Sequence, residues 1–388
     1  MDRLVEEAIL APDSGGTFSE ADVRRARIVH ALDQAGLPVS TVGEAIRRHE
    51  LSLDFVDQPA YERFSGLTET SYRELSTRTG VPLELLQAIR EATGFAQPGP
   101  DDPVRESELE VLPMLELLLG YGVRPAVVER GLRTLGDSLR RVAESEAEMW
   151  RTDILGPIFA SGGGMAEIDV RTSEISNTIS GPTDQALLAL YHGQQSNAWM
   201  KNIFEGFEMG LSRLGLHQAP GRQPAICFLD LSGYTRLTEE HGDEAAADLA
   251  GRLARLVQRT SAAHGGRPVK WLGDGVMFYF REPGPGVLAA LEMVEGASKA
   301  NLPPAHVGLH TGPVLFQEGD YFGRTVNVAA RIADYARQGE VVVSDDVLNA
   351  SSIDGVGFDR IGPVELKGLT EAVTLHIARR AGPNVATR

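Results

Sequence analysis

Two aspartates stand in apolar, glycine-flanked segments where a charged side chain is unexpected. Asp230 lies in the segment FLDLSG, residues 228–233, and Asp274 lies in the GDG sequence of residues 273–275. Two carboxylates brought together repel each other, and hard divalent cations remove that repulsion while binding phosphate oxygens. The pair therefore indicates a two-metal site for a triphosphate, provided that the fold brings both side chains together. Each motif alone is more typical of a turn or a capping residue.

A second group of polar side chains lies in DYFGRTVNVAARI, residues 320–332. Asn327 and Arg331 are four residues apart, which places them on one face of a helix. A fixed cation on such a face can stabilise negative charge that develops in a transition state. Without further context, a surface arginine and a capping asparagine explain the same pattern at least as well.

The elements that must position these residues follow the order βαββαβ. This order is the split βαβ, or ferredoxin-like, motif of an α+β fold, an antiparallel sheet with helices on one face. Its first and third strands lie side by side, so Asp230 and Asp274 should converge at one end of the sheet. The segments are strand AICFLDLSG, helix 243–263, two strands in PVKWLGDGVMFYF, a helix near 287–300 and strand HVGLHTGPVLF, followed by helix 325–336, strand EVVVS and a hairpin through LKGLTEAVTLHI.

The residues before position 220 show helical periodicity instead. We expect an all-helical domain over residues 1–205, a linker over 206–221 and a second domain over 222–388. The predicted helices are 20–35, 71–92, 107–119 and 125–147. An apolar stripe on the last helix, formed by Trp199, Ile203, Phe207, Leu211 and Leu214, runs into the linker segment HQAPGRQP at residues 217–224.

Composition excludes several classes of protein. The net charge of −17 argues against a general affinity for nucleic acid or an anionic membrane. No apolar run approaches the roughly 18 residues that a transmembrane helix needs, so no transmembrane segment is predicted. The start MDRLVEEAIL has acids where a secretory signal has bases, and a cytoplasmic location is expected. The single cysteine, Cys227, lies in an apolar run that is typical of a core residue.

Five motifs together resemble the class III nucleotide cyclase catalytic domain. They occur in the family's order and cover roughly residues 224–377. The motifs are FLDLSGYT, KWLGDGVMF, VGLHTGPV, DYFGRTVNVAARI and LKGLTEAVTL. The resemblance implies an enzyme that cyclises a nucleoside triphosphate, and a homodimer whose active sites are each built from both chains.

The resemblance also implies a role for each matching residue. Asp230 and Asp274 match the aspartates that bind two metal ions per active site, Mg²⁺ or Mn²⁺. Asn327 and Arg331 match the pair that serves the transition state. Lys367, in LKG, resembles the lysine that contacts the terminal phosphates. In the family, one chain supplies the metal-binding aspartates and its partner supplies the other groups.

The base is selected by a pair of opposite polarity. Lys270 and Asp320 match the residues that recognise adenine: a carboxylate accepts from the adenine amino group, and an ammonium donates to a ring nitrogen. Guanine presents the opposite pattern and would leave these groups unpaired. The resemblance therefore implies an adenylate cyclase that converts ATP to 3′,5′-cyclic AMP and pyrophosphate.

Two other functions are consistent with parts of the sequence. A degenerate cyclase domain would serve as a nucleotide-binding or dimerisation module, although the filled metal and transition-state positions count against it. A transcription regulator is suggested by SYRELSTRTGVPLELLQAIREA, which resembles a helix-turn-helix with Gly80 at the turn. Its second helix carries Glu84 and Glu91 against one basic residue, Arg90, so contact with DNA phosphates is disfavoured.

The helical domain before the catalytic domain resembles the regulatory domain of soluble bacterial cyclases that are autoinhibited and pH-sensing. Some members of that group also hold a fatty acid. A proton and a fatty acid are therefore the candidate regulators. His192 and His217 flank the apolar stripe, and imidazole titrates close to neutral pH.

Overall fold

The computed structural model describes residues 2–13, 15–57, 66–162, 164–216, 223–351 and 353–381. The chain divides into two compact units, Met1–Phe204 and Glu205–Arg388. The predicted linker segment 217–222, with His217, lies outside the described residues. No described helix is both long and apolar enough to cross a membrane.

The first unit is built mainly from helices. Ser19 caps the helix that begins at Glu20, through a capping box with Asp22. Gly80, at φ 73°, ends one helix before the next begins, because glycine adopts this left-handed conformation without strain. Its helices are Asp2–Glu6, Glu20–Gln34, Val39–Arg47, Tyr72–Thr79, Leu83–Ala92, Glu106–Leu109, Leu112–Gly120, Pro125–Met149 and Gly156–Ala160, with a 3₁₀ turn at Asp54–Asp57 and a π-helical turn at Trp150–Leu155.

Two features of the amino-terminal half differ from the sequence prediction. Strands β1 (Leu67–Ser71) and β2 (Pro103–Arg105) form an antiparallel pair, so the unit is not purely helical. The last helix, Met165–Arg213, is 49 residues long and continues through the first eight residues of the predicted linker. Both differences have one reason: local periodicity shows neither a pairing between distant segments nor how far a helix extends past its apolar stripe.

A seven-stranded sheet forms the centre of the second unit. Its order is β10-β11-β9-β6-β3-β5-β4, and only the β6–β9 pair is parallel. The inner order β6-β3-β5-β4 is that of the ferredoxin-like motif, which confirms the predicted α+β fold class. The strands are β3 (Ala225–Leu231), β4 (Arg267–Leu272), β5 (Gly275–Phe280), β6 (Ala305–Thr311), β9 (Val341–Ser344), β10 (Val356–Val364) and β11 (Val373–Arg380), and a separate hairpin comprises β7 (Leu315–Gln317) and β8 (Asp320–Phe322).

Helices cover both faces of this sheet, whereas the sequence predicted helices on one face. Alternate residues of β3 point to opposite sides, because side chains in a strand alternate. Ala225 and Cys227 pack on one side, with the helices Asp243–Ala263 and Pro283–Lys299. Ile226 packs on the other side with Val326 and Ala329 of the helix Arg324–Tyr335. Shorter helices, Tyr234–His241 and Asp345–Ala350, complete the unit.

Candidate active site

The two aspartates lie at neighbouring positions of the central strand pair. Asp230 is near the end of β3 and pairs with Gly275, the first residue of β5. Asp274 directly precedes Gly275, in the tight turn between β4 and β5, where Gly273 has a φ of 78°. A β-carbon added at Gly275 would lie 3.1 Å from Asp230 Oδ1. Glycine at this position therefore leaves room for the Asp230 carboxylate beside the turn.

The electrostatics at Asp230 disfavour a bare carboxylate. Burial raises the pKa of Asp230 above its usual value, and the charge of Asp274 raises it further. Both effects penalise the ionised form, since one removes water and the other adds a like charge. A bound cation would reverse both penalties, so the site is suited to positive charge.

A histidine that the sequence reasoning missed lies beside Asp230. His306 pairs with Asp230 across β6 and β3, and its Nε2 atom lies 3.8 Å from Asp230 Oδ2. Its Nδ1 atom is 3.2 Å from Ser232 Oγ. His306 directly precedes the VGLHTG motif, but only the β3–β6 register, which periodicity does not contain, shows that it faces the aspartate.

Lys270 and Asp320 are joined in an ion pair. Lys270 Nζ donates to Asp320 Oδ2 at 2.6 Å, and the Tyr321 backbone N–H donates to Asp320 Oδ1 at 2.7 Å. The two side chains are 37% and 25% exposed, so they are accessible to a ligand. Fifty residues separate them in the sequence, and the fold brings them together as a donor beside an acceptor.

Asn327 and Arg331 lie on the outer face of the helix Arg324–Tyr335, and both are exposed. Arg331 Nη1 donates to Asp334 Oδ2 at 2.6 Å, within the same helix. In the part of the chain that the structure describes, no hydrogen bond or ion pair joins either residue to Asp230, Lys270 or Asp320. The chain thus presents two groups of candidate residues rather than one assembled site.

The buried face of this helix fixes its distance from the sheet. A β-carbon added at Gly308 of β6 would lie 2.1 Å from the backbone nitrogen of Ala333. Only glycine permits this approach, because a real β-carbon essentially never comes so close to a backbone atom. Gly308 therefore sets the depth at which Asn327 and Arg331 are held.

Lys367 is exposed in the loop between β10 and β11. Its neighbour Leu366 is buried and packs with Val328 and Ile332 of the helix Arg324–Tyr335. The loop is thereby anchored to the helix that carries Asn327 and Arg331. The structure brings Lys367 to this helix and leaves its ammonium group in solvent.

Comparisons with known proteins identify the family. The profile described as "Adenylate and Guanylate cyclase catalytic domain" matches residues 217–379, and that described as "Adenylate cyclase regulatory domain" matches residues 15–190. A pH-sensitive adenylate cyclase from Mycobacterium tuberculosis is 31% identical over 81% of this chain and 79% of its own length. The chain belongs to the class III adenylate and guanylate cyclase family.

A second curated relative agrees with this assignment. An adenylate cyclase from Streptomyces coelicolor is 28% identical and covers 75% of each chain. Among solved structures, the adenylyl cyclase CyaB from P. aeruginosa is 21% identical, with a TM-score of 0.38 over 42% of this chain and 97% of its own. The sequence-based recognition of a bacterial class III adenylate cyclase, and its assignment as an enzyme, are confirmed.

Proposed function

We propose that this cyclase converts ATP to 3′,5′-cyclic AMP and pyrophosphate, at active sites that two copies of the chain share. The observation that carries the choice of ATP is the Lys270–Asp320 pair, with Nζ and Oδ2 2.6 Å apart. It offers a donor beside an acceptor, the polarity that adenine requires. A guanine base would leave both groups unpaired, at a cost that typically exceeds that of a lost neutral contact.

The donor set at Asp230 and Asp274 fits Mg²⁺ or Mn²⁺. Carboxylate oxygens are the protein ligands that hard cations prefer, and Mg²⁺ is usually held by one or two carboxylates together with substrate phosphates. Among the described residues, no group of three or more His, Cys, Asp or Glu side chains could hold a metal ion. The two aspartates would therefore share the ions with the triphosphate. The ions would supply a more acidic 3′-hydroxyl and charge neutralisation at the phosphates.

The remaining candidate residues stabilise negative charge in the transition state and orient the substrate. The 3′-oxygen attacks the α-phosphorus as pyrophosphate leaves, so negative charge grows on the phosphoryl and leaving oxygens. Arg331 stabilises this charge as a permanent cation, Asn327 orients the ribose, and Lys367 neutralises the terminal phosphates. An arginine is suited to this role because its guanidinium stays protonated at any physiological pH.

Dimerisation would complete each site. Arg331 and Asn327 have no described contact with the metal or adenine residues of their own chain. Large apolar side chains near Lys270 and Asp320 are also exposed, which is typical of an interaction surface. They are Trp271 at 45%, Leu272 at 50%, Leu315 at 60%, Phe316 at 54% and Phe322 at 47% exposure. A homodimer would cover these side chains and bring Arg331 of one copy to the aspartates of the other.

We further assign regulation to the amino-terminal domain, residues 1–205, with a proton or a fatty acid as its signal. The relative from M. tuberculosis is named as pH-sensitive. Within the first unit, a cavity of about 1170 Å³ is lined by apolar side chains such as Ile9, Phe18 and Phe55, together with His49 and Arg25. The lining also carries the carboxylates Asp13, Asp22, Asp54 and Glu174, and Arg25 is paired with Asp22 and Asp54. The apolar side chains of the cavity, rather than its charge, therefore support an apolar ligand such as a fatty acid. A cytoplasmic location fits an enzyme that consumes ATP.

The contacts and burial of Arg90 disfavour the helix-turn-helix alternative. Its Nε atom donates to Glu108 Oε1 at 2.7 Å, and the two side chains are only 11% and 2% exposed. The one basic residue of the second helix is therefore engaged in the core and is not available to a DNA phosphate.

The proposal is tested by turnover of the purified full-length chain with ATP and with GTP, in Mg²⁺ and in Mn²⁺. We expect cyclic AMP and pyrophosphate in equal amounts, and a strong preference for ATP. ATP binding without turnover would favour the degenerate binding module instead.

A further inference from the structure

A β-bulge in β4 places Arg267 and Lys270 on the same face of the sheet. Arg267 pairs with Tyr279 and Lys270 pairs with Met277, and the register shifts between Pro268 and Lys270. In a regular strand, residues three apart point to opposite faces, and one extra residue restores them to the same face. Both basic side chains consequently face the β7–β8 hairpin, which carries Asp320.

Arg267 binds the hairpin through Tyr321. Its Nη2 atom donates to Tyr321 Oη at 2.9 Å, and its guanidinium carbon lies 5.7 to 5.8 Å from the ring centres of Phe316, Tyr279 and Tyr321. The Tyr321 ring stacks on Tyr279, with centres 4.5 Å apart and planes within 3°. Tyr321 is only 4% exposed, so a buried aromatic contact and the Arg267 hydrogen bond attach the hairpin to the sheet, in addition to the Lys270–Asp320 ion pair.

The hairpin depends on this attachment. Its strands have three residues each and are joined by Glu318 and Gly319, both at positive φ, as in the tight turns typical of two-residue hairpins. An isolated two-stranded hairpin is marginal in water. Asp320 directly precedes Tyr321 and accepts from the Tyr321 backbone N–H, so displacement of Tyr321 moves the carboxylate away from Lys270.

We propose that Arg267 and Tyr321 are positioning residues for base selection: they hold the hairpin so that the Asp320 carboxylate meets adenine beside Lys270. Neither residue touches the base. This inference rests on the proposed function, in which Lys270 and Asp320 recognise adenine. It predicts that loss of the Arg267–Tyr321 hydrogen bond affects purine binding more than chemistry, because Asp230, Asp274, Asn327 and Arg331 lie on other elements.

The test compares the full-length variants Tyr321→Phe and Arg267→Gln with wild type. Tyr321→Phe keeps the stacked ring and removes only the hydroxyl. We expect KM for ATP to rise about 5- to 30-fold in each variant, the factor for one hydrogen bond, with kcat changed less than about threefold. The ratio of kcat/KM for ATP over GTP should fall by a similar factor. The effects of the two substitutions should be less than additive, since both remove the Arg267–Tyr321 hydrogen bond.

Two controls make the result specific. Arg379→Gln removes another exposed arginine of the sheet, whose Nε donates to Asp359 at 2.9 Å, and should leave KM and selectivity unchanged. Asp320→Asn tests the base assignment itself. If Asp320→Asn lowers the ATP preference while Tyr321→Phe and Arg267→Gln keep wild-type KM and selectivity, this inference is wrong and the proposed function stands.

A different set of results would contradict the proposed function itself. If Asp320→Asn leaves the ATP preference intact, the adenine assignment fails, and the positioning role fails with it. A lower melting temperature with unchanged KM and selectivity would likewise contradict the inference, because Arg267 and Tyr321 would then be purely structural.

Discussion

At the scale of single residues, the candidate site depends on how the two neighbouring carboxylates of Asp230 and Asp274 are stabilised. Burial and Asp274 both raise the pKa of Asp230, which marks a carboxylate that is poorly stabilised without a cation. Perturbed carboxylates of this kind are concentrated at functional sites. The buried Cys227 shows the contrast: burial alone raises the pKa of its thiol, which suits the core residue that the sequence predicts.

Replacing Asp274 by alanine should abolish cyclic AMP formation and leave the fold intact. Asp274 lies in a turn and is only partly buried, so little packing is lost, whereas the proposed metal ligands fall from two carboxylates to one. We expect turnover to fall by at least about 100-fold, since loss of one group that acts electrostatically on the transition state typically costs about 100- to 1000-fold. The measurement is cyclic AMP release, with circular dichroism and sedimentation as controls for folding and assembly. Near-normal turnover would eliminate the two-metal assignment.

At the scale of elements, the sequence predicts most of the catalytic fold and its central strand pair, but not the registers of its strands. The continuous apolar run in AICFLDL and the 3.6-residue periodicity of 243–263 are local, so β3 and that helix are evident from the sequence. The closeness of His306 to Asp230 depends on the register of two strands that are distant in the sequence, and the bulge between Pro268 and Lys270 depends on the register within the β4–β5 hairpin. Neither feature is encoded in the hydrophobic periodicity of the sequence, so only the structure reveals them.

The close packing of Gly308 against the helix Arg324–Tyr335 can be tested by substitution. Gly308→Ala should lower the free energy of unfolding by about 1–3 kcal/mol, the usual cost of overpacking, because the new β-carbon meets the backbone of Ala333. The displaced helix should also lower kcat, since it carries Asn327 and Arg331. Urea unfolding and steady-state kinetics provide the measurements.

The matched control is Gly357→Ala in β10 of the same sheet, where an added β-carbon meets nothing within 4 Å. This change should be neutral, or stabilising by about 0.4–1 kcal/mol through the unfolded state. Equal stability losses in the two variants would show that close packing at Gly308 is not what holds the helix.

At the scale of the whole molecule, the proposed function assigns regulation and catalysis to separate units. The exposed stripe on the helix Met165–Arg213 includes Trp199 at 60% and Phe207 at 67% exposure, and Leu214, directly after the helix, is 71% exposed. An exposed apolar stripe of this kind is typical of an interaction surface. Two packings of this helix that differ by only a few kcal/mol would let a modest signal alter the catalytic dimer.

This regulatory hypothesis predicts that the activity responds to pH only when the first unit is present. The full chain and a shortened chain beginning at residue 205 should differ in their activity profiles between about pH 5.5 and 8, which brackets the free histidine pKa. Identical profiles and specific activities would mean that the first unit is only a scaffold.

Stability must be followed in the same experiment, because the catalytic unit contains its own titrating group. Burial lowers the pKa of His310, and the charge of Asp346 partly opposes this shift. The neutral form is therefore the stable one in the fold, and its contribution is complete above about pH 6.5, the pKa of an unfolded histidine. As the pH falls from there through the lower folded pKa, that contribution is lost. Melting temperatures at each pH separate this effect from regulation.

The central claim is that each active site takes its aspartates from one chain and Arg331 from the other. Its most direct test mixes two inactive proteins, Asp230→Ala and Arg331→Ala, after demonstrating that they exchange subunits. Each homodimer has no complete site, whereas the heterodimer has one. Random exchange makes half of the dimers heterodimers, so we predict recovery of about a quarter of wild-type turnover. No recovery of turnover in a mixture that contains the heterodimer would contradict the claim and place each site within a single chain.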